Sequence, residues 1–389
     1  MSSPVTYESI VKYMNSMEFS GMKLGLDRIR SALADYGNPE KGLKIVHVGG
    51  TNGKGSVAAM IAKILEKSGK RVGLFTSPHL VDVRERIQVN GEYISKDDFR
   101  DVFLEAKEKT SDLTFFEIVT LMAVLYLVKQ KVDYAVFEVG LGGTYDATNF
   151  EESLLSVITK VSMDHTDLLG DDLQKIAWEK CNIIKHGQTV VTTEANAGVM
   201  DTIKETVEKR GANLVVAGES DYETSLKGGF QRQNAGIAVE VARQLGVGED
   251  DIRAGLKEVS WPGRLEFVEK NVLLDCAHNP AGIDAISQYV AGLDHGKLII
   301  VFGVSRNKKY HEMLNLLPPH DVMIFTQSTI SRRLPVEEVP KGIECIKIRD
   351  PVEALAHAQG LAGENDLILV CGSIFLIADI KTSYQKKSH

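Results

Sequence analysis

Apolar residues in this chain fall into short unbroken runs, separated by stretches where they recur every three or four positions. The runs Ile45–Val48, Arg71–Phe75, Tyr134–Val139, Leu154–Thr159 and Thr189–Thr193 have the length and β-branched content of buried strands. Between them the helical period predicts helices over Val57–Lys67, Phe115–Gln130 and Leu173–Ile184, and near Asn234–Leu245. Tyr7–Tyr36 reads as helix broken at Gly21–Gly25, with Asp27 the expected cap of its second part. Asn90-Gly91 marks a tight turn between two extended pieces, and Ser95 with Asp98 a capped helix start running to about Lys109. Past Trp261-Pro262-Gly263-Arg264 the alternation restarts, with strands Val272–Asp275, Leu298–Val304, Val322–Thr326 and Leu367–Val370. His278-Asn279-Pro280 opens a helix there, and a final helix follows Gly372-Ser373. Strands alternating with helices predict an α/β protein with mostly parallel, doubly wound sheets. The Pro/Gly pair at 262–263 divides it into domains 1–262 and 263–389.

One segment departs from simple packing. Between the run Ile45–Val48 and the helix after it lies the glycine-rich turn Gly49–Ser56. A strand, a glycine-rich turn and a helix place backbone N–H groups and a positive helix end around an anion, and a lysine adds a point charge. The P-loop pattern wants Ser or Thr directly after Gly-Lys; here Gly55 follows Gly53-Lys54 and the hydroxyl comes at Ser56. A nucleoside triphosphate is the expected ligand.

The net charge of −8 argues against a nucleic-acid protein, which needs clustered Lys and Arg. Cys181, Cys276, Cys345 and Cys371 are scattered without metal-finger spacing and read as reduced cysteines. No apolar run reaches the length of a membrane span and the N-terminus lacks a leader pattern. A cytoplasmic protein is expected.

In open parallel sheets, ligands bind at the carboxyl ends of strands. Ser77, Glu138, His165, Asp275 and Ser373 all fall at or just past such ends. Ser77, Glu138 and His165 offer oxygen and imidazole ligands for a magnesium ion holding the β- and γ-phosphates. Lys180, among Ile176, Ala177, Ile183 and Ile184, reads by default as a salt-bridged or snorkelling lysine, with Glu179 a ready partner.

GTNGKGS (Gly50–Ser56), TSPHL (Thr76–Leu80), ERI (Glu85–Ile87), EVGLGG (Glu138–Gly143), DATN (Asp146–Asn149), DHTDLLG (Asp164–Gly170), IAWEK (Ile176–Lys180), PGR (Pro262–Arg264), CAHNP (Cys276–Pro280) and CGSIF (Cys371–Phe375) occur in one order. Together they resemble the folylpolyglutamate synthase and dihydrofolate synthase family of the Mur ligase superfamily, from about Tyr7 to Ala378. The resemblance implies a P-loop ATPase domain followed by a smaller Rossmann-like α/β domain. It implies that Thr51, Asn52, Gly53, Lys54, Gly55 and Ser56 bind the ATP phosphates, and that Asn234, Arg264 and Asp275 contact the nucleotide. By the same resemblance Ser77, Glu138 and His165 form a first Mg2+ site, and Lys180 takes up carbon dioxide as a carbamate to hold a second. Ser77, Pro78, His79 and Leu80 lie on the loop that touches the pterin, while Arg86, His278 and Ser373 match positions tied to glutamate. Lys54, His165, Lys180 and His278 are the implied catalytic set.

The chain departs from the family pattern at Phe230, where His or Tyr is usual, and at Cys276, where Gly is common. Ser305–Lys309 also lacks the usual Asp-Lys-Asp. The expected reaction is ATP-dependent ligation of L-glutamate to a pterin or folate carboxylate through an acyl phosphate, by a monomer without nucleic-acid or membrane partners. Two other readings are another Mur-type ligase with a different carboxylate acceptor and an ATP-driven binding or switch protein.

Overall fold

The computed structural model describes residues 5–18, 25–150 and 152–387. The chain forms two compact units. The first takes residues up to Val161 together with Asp172–Ser225 and Arg232–Val259; the second takes Ser162–Asp171, Leu226–Gln231 and the chain from Ser260.

The first unit carries strands β1 (Ile45–Gly49), β2 (Val72–Phe75), β3 (Ile87–Val89), β4 (Glu92–Tyr93), β5 (Tyr134–Glu138), β6 (Leu155–Ile158), β7 (Thr189–Thr192) and β8 (Asn213–Val216). They form one sheet in the order β4-β3-β2-β5-β1-β6-β7-β8. All neighbours are parallel except the β2–β3 and β3–β4 pairs. The β3–β4 turn is Asn90-Gly91, both in the left-handed region (φ 48° and 78°), as a two-residue hairpin demands. Central β1 pairs with β5 on one side and β6 on the other, so the connections part around it. That is the switch point at which an open sheet offers a crevice.

One helix fixes the core beside this switch point. Phe115–Lys129 is apolar all round, and all its residues from Glu117 to Leu127 are buried. Helices of that kind belong inside a protein rather than on its surface. Thr114 and Glu117 close its N-terminus with a reciprocal capping box, and Glu117 also pairs with Arg28 at 2.9 Å. Below it Phe75 and Phe137, on adjacent strands, pack at a centroid distance of 5.4 Å, and Phe150 meets Phe137 edge-on at 5.2 Å. Each fully buried ring contributes about 2 kcal/mol, which anchors the strand ends where the loops begin.

Some expected boundaries move. The helix after β1 begins at Lys54, not Val57, because Gly53 adopts φ 92° as its cap. Asp27 lies in the first turn of helix Asp27–Asp35, with Leu26 at the cap. The break expected at Gly21–Gly25 falls, but for Gly25, outside the described residues. Helix Leu173–Cys181 stops short of Ile184, although Ile183 and Ile184 stay fully buried. Ser95 caps Lys96–Glu108 as expected, accepting from the Asp98 N–H at 3.0 Å.

The second unit holds β9 (Glu266–Glu269), β10 (Val272–Leu274), β11 (Leu298–Phe302), β12 (Val322–Phe325), β13 (Ile346–Lys347) and β14 (Leu367–Cys371). Their order is β13-β12-β11-β14-β10-β9, all parallel except edge strand β9. Phe302, Phe325, Leu273 and Leu369 are among the side chains of its own core. Two short segments join this unit from within the first unit's sequence. Asp164 ties Ser162–Asp171 to Lys308 at 2.6 Å, and Phe230 packs partly buried against the second core.

Candidate active site

The glycine-rich turn is built for close backbone approach. Gly50 has φ 136°, and a Cβ there would stand 1.9 Å from Thr159 Oγ1. A Cβ on Gly53 would stand 2.5 Å from Asn234 Oδ1, so Asn234 lies directly against the turn. The N–H groups of Thr51 and Asn52 are donated to the Lys160 carbonyl at 2.9 and 3.2 Å. The first bond inside the helix runs from Val57 N–H to Gly53 O at 2.8 Å. The backbone donors that face outward at this helix end therefore come from its first turn, Lys54–Ser56.

Lys54 folds back over the turn, its Nζ donating to Gly50 O at 3.3 Å and Thr51 O at 3.2 Å. Lys180 reaches the same carbonyl, Gly50 O, at 2.8 Å and is only 5% exposed. To the default reading of Lys180 as a salt-bridged or snorkelling lysine the structure adds a contact across 130 residues. Two lysine amines sharing one carbonyl oxygen repel each other, and an anion placed between them would relieve that repulsion. Thr159, whose buried hydroxyl has no hydrogen-bond partner, follows β6 on the same edge. A nucleotide's phosphates fit these residues: a cradle that side chains would fill, a helix start and two amines.

Glu138, at the end of β5, is buried, and its Oε2 accepts the Ser77 N–H at 3.1 Å. Ser77 follows β2 and joins Pro78 through a cis peptide. Among the described residues no three His, Cys, Asp or Glu side chains group as a metal cage. One carboxylate and one hydroxyl beside a phosphate turn suit magnesium, which keeps waters and binds through few carboxylates plus substrate phosphates. His165 belongs to the second unit, in the left-handed conformation (φ 51°) at the start of Thr166–Leu169.

The loop from Ser77 to Arg86 is held by its own acids. Glu85 accepts from the N–H groups of Leu80, Val81 and Asp82 at 2.6, 2.8 and 2.8 Å. Tyr7 donates its hydroxyl to Asp82 at 2.5 Å. Buried Arg86 lies over the Phe115 ring at 5.1 Å and donates from Nε to His79 Nδ1 at 2.8 Å. Burial, then the Arg86 charge, hold the His79 imidazole down at about 3, so it stays neutral with Nδ1 as acceptor. A cavity of about 250 Å³ lies elsewhere in this unit, lined among others by Ile29, Arg30, Asn38, Lys41, Asn149 and Phe150.

In the second unit the carboxyl edge gathers the remaining expected residues. Asp275, just past β10, accepts the N–H groups of Leu265 (2.8 Å) and Ala277 (2.7 Å). Burial pushes its carboxyl up while the Arg264 charge pulls it down. Asp275 N–H bonds Val370 O and Gly372 N–H bonds Ala277 O, both at 3.0 Å, so the Asp275–His278 and Ser373 loops are laced together. Ser373 is buried and accepts the Phe375 N–H at 3.2 Å. His278 faces the Cys276 carbonyl at Nδ1 (3.0 Å) and Asp164 at Nε2 (3.3 Å).

Sequence reasoning overlooked Asp164, Asn279 and Lys308. Asp164 receives Lys308 Nζ at 2.6 Å and Asn279 Nδ2 at 3.2 Å. Burial works against its charge, but His278, Lys308 and His165 together hold its carboxyl well below the usual range. Lys308 sits in the segment that lacks the family's Asp-Lys-Asp and supplies the ion pair to Asp164. Cys276, in place of the family's glycine, is buried, and burial pushes its thiol up to about 12, so it acts as a packing residue.

Two α/β units, the first with a phosphate cradle at its switch point, have the architecture of ATP-dependent Mur-type ligases. A model of the Mur ligase middle domain matches residues 48–243, and one of the Mur ligase glutamate ligase domain matches residues 263–374. The chain is similar to dihydrofolate synthase/folylpolyglutamate synthase of Bacillus subtilis, 33% identical over 408 residues, covering 93% of this chain and 95% of the relative. Among solved structures it is similar to Thermotoga maritima folylpolyglutamate synthase, with TM-score 0.82, 32% identity and coverage of 98% and 97%. It is also similar to the bifunctional folylpolyglutamate synthase/dihydrofolate synthase of Yersinia pestis complexed with AMPPNP and Mn ion, with TM-score 0.89, 28% identity and 98% coverage of both chains. The chain belongs to the folylpolyglutamate synthase/dihydrofolate synthase family.

Proposed function

We propose that the protein is an ATP-dependent amide ligase that joins L-glutamate to the carboxylate of dihydropteroate or a reduced folate, with ADP and phosphate as the other products. The observation that carries this reading is the pair of lysines, Lys54 and Lys180, on the carbonyl of Gly50 at a helix start. The matched glutamate ligase model over 263–374 supports the amino acid, and the family supports the acceptor.

A carboxylate is a poor electrophile at neutral pH. Transfer of the γ-phosphoryl group to one of its oxygens makes an acyl phosphate, and ADP leaves. The glutamate amine attacks the acyl carbon, loses a proton, and phosphate departs with the oxygen it gained. Phosphoryl transfer needs positioning and charge neutralisation more than covalent help. The first-turn N–H groups, Lys54 and Asn234 orient the nucleotide, and Thr51, Asn52, Gly53, Gly55 and Ser56 shape the cradle. Glu138 and Ser77, with His165, would hold a divalent cation, which when bound neutralises charge between the β- and γ-phosphates.

Lys180 enters as a carbamate: its unprotonated amine adds to carbon dioxide with loss of one proton, giving an anionic oxygen group that would hold a second cation. Arg264 and Asp275 complete the nucleotide contacts, Pro78, His79 and Leu80 face the pterin, and Arg86, His278 and Ser373 serve the incoming glutamate. Residues 1–262 form the ATP-binding domain and 263–389 the glutamate-ligase domain in this reading, which the span of the two family models supports. A cytoplasmic location is supported by four free cysteines, and no described helix is long and apolar enough to cross a membrane.

The test is phosphate release from ATP and Mg2+ with glutamate and a pterin carboxylate supplied singly and together. Release only when both are present supports the ligase; release independent of either refutes it.

A further inference from the structure

A buried polar chain that the mechanism does not use runs from β1 to the loop beside helix Leu173–Cys181. His47, 1% exposed in the middle of β1, places Nε2 at 2.8 Å from Thr148 Oγ1. Thr148 Oγ1 lies 2.5 Å from Asp146 Oδ1. Asp146 accepts two backbone N–H groups besides, Thr148 at Oδ1 (3.0 Å) and Leu141 at Oδ2 (2.8 Å). With Asp146 as the carboxylate, the Thr148 hydroxyl donates its hydrogen bond to Oδ1, which leaves Oγ1 to accept from a neutral His47 carrying its proton on Nε2. Burial, then the Lys185 charge, hold the His47 ring down at about 3, which keeps it neutral.

The loop so gripped is fastened to the helix that carries Lys180. A Cβ on Gly143 would stand 2.3 Å from Glu179 O and 3.2 Å from Lys180 Cα, so the loop backbone lies against the helix at that lysine. Asn182 Nδ2 donates to Thr144 Oγ1 at 2.9 Å and Lys185 Nζ to Asn149 Oδ1 at 2.6 Å. Lys180 returns to Gly50 O, three residues beyond His47. The circuit closes on β1: strand, relay, loop, helix, lysine, phosphate turn.

We propose that His47, Thr148 and Asp146 are positioning residues that hold Lys180 at its place over the phosphate turn. An apolar trio of equal volume would fill the same space without the desolvation cost of three polar side chains. What the polar chain adds is a fixed direction at each link, and hence one loop register against the helix. The inference rests on the reading of Lys180 as part of the phosphate site.

Thr148→Val keeps the side-chain volume and cuts the relay, while Thr148→Ser restores the hydroxyl. The full chain carrying each is assayed for kcat and for KM of ATP, glutamate and acceptor, with amide hydrogen exchange followed over residues 173–181. Thr148→Val is expected to lower kcat at least ~10-fold with each KM within ~3-fold, to speed exchange over 173–181, and to be rescued to within ~3-fold by Ser. A Val variant with wild-type kcat, a Ser variant as impaired as Val, or a loss confined to the acceptor KM overturns the proposal. If Thr148→Val does not fold, His47→Leu, which leaves Thr148 and Asp146 paired, is read by the same criteria. The exchange measurement needs no turnover, so it separates failure of the relay from failure of the ligase reading.

Discussion

Lys54 and Lys180 donate to the same acceptor, the carbonyl oxygen of Gly50, at 3.3 and 2.8 Å. One comes from the helix that opens on the turn, the other from a helix 130 residues away in sequence. Their convergence marks the turn where Lys54 meets phosphate charge directly and where a Lys180 carbamate would do so through a bound cation. Lys54→Ala should therefore reduce kcat at least ~10³-fold, about 4 kcal/mol of transition-state stabilisation, with a melting temperature within a few degrees of wild type. Retained turnover would remove Lys54 from the chemistry.

Lys180→Ala should be inactive and folded, since the change leaves Ile176, Ala177 and Cys181 to hold the helix. Millimolar acetate should restore part of the rate by supplying the oxygen ligand that a carbamate would provide. Equal loss with and without acetate, together with an unmodified Lys180 by mass analysis under bicarbonate, would leave the lysine a cationic contact only.

Gly53→Ala tests the cradle itself. The backbone sits at φ 92°, and the new Cβ would meet Asn234 Oδ1 at 2.5 Å. The backbone strain alone is about 1–2 kcal/mol, and relief must come by moving Asn234 or the helix start. Calorimetric titration with ADP should show at least ~10-fold weaker binding; unchanged affinity would mean that the turn does not approach the nucleotide.

Stability should fall in mild acid because of His47. Its folded pKa is lowered to about 3 by burial, so below the unfolded value of about 6.5 the unfolded chain binds a proton that the folded chain does not. Stability is then fully present above about pH 6.5 and is lost as pH falls toward 3, by up to about 1.4 kcal/mol per pH unit. Urea unfolding of wild type and His47→Gln between pH 7 and 4 should show the shallower slope in the variant. Parallel slopes would contradict a neutral, buried His47.

Much of this was legible in the sequence for a physical reason: strand period, helix period and glycine placement are local. Gly49–Ser56 announced its cradle, Asn90-Gly91 its hairpin and Ser95 its cap. What escaped were partnerships across long stretches of chain. Asp164 and Lys308 are 144 residues apart, and nothing local marks either as the other's partner. Thr51 and Asn52 looked like phosphate donors, yet their N–H groups serve Lys160 O, which depends on how β6 lies beside β1. His47 did carry a signal, a histidine inside an otherwise apolar strand, but its partner Thr148 could be known only once the loop after β5 was folded.

The central claim is that the acceptor carboxylate is activated by phosphorylation before glutamate attacks it. Acceptor labelled with ¹⁸O in both carboxylate oxygens, turned over with ATP, Mg2+ and glutamate, tests this most directly. One ¹⁸O should appear in the released phosphate and one in the new amide of the glutamylated product. Unlabelled phosphate accompanying product would contradict the account.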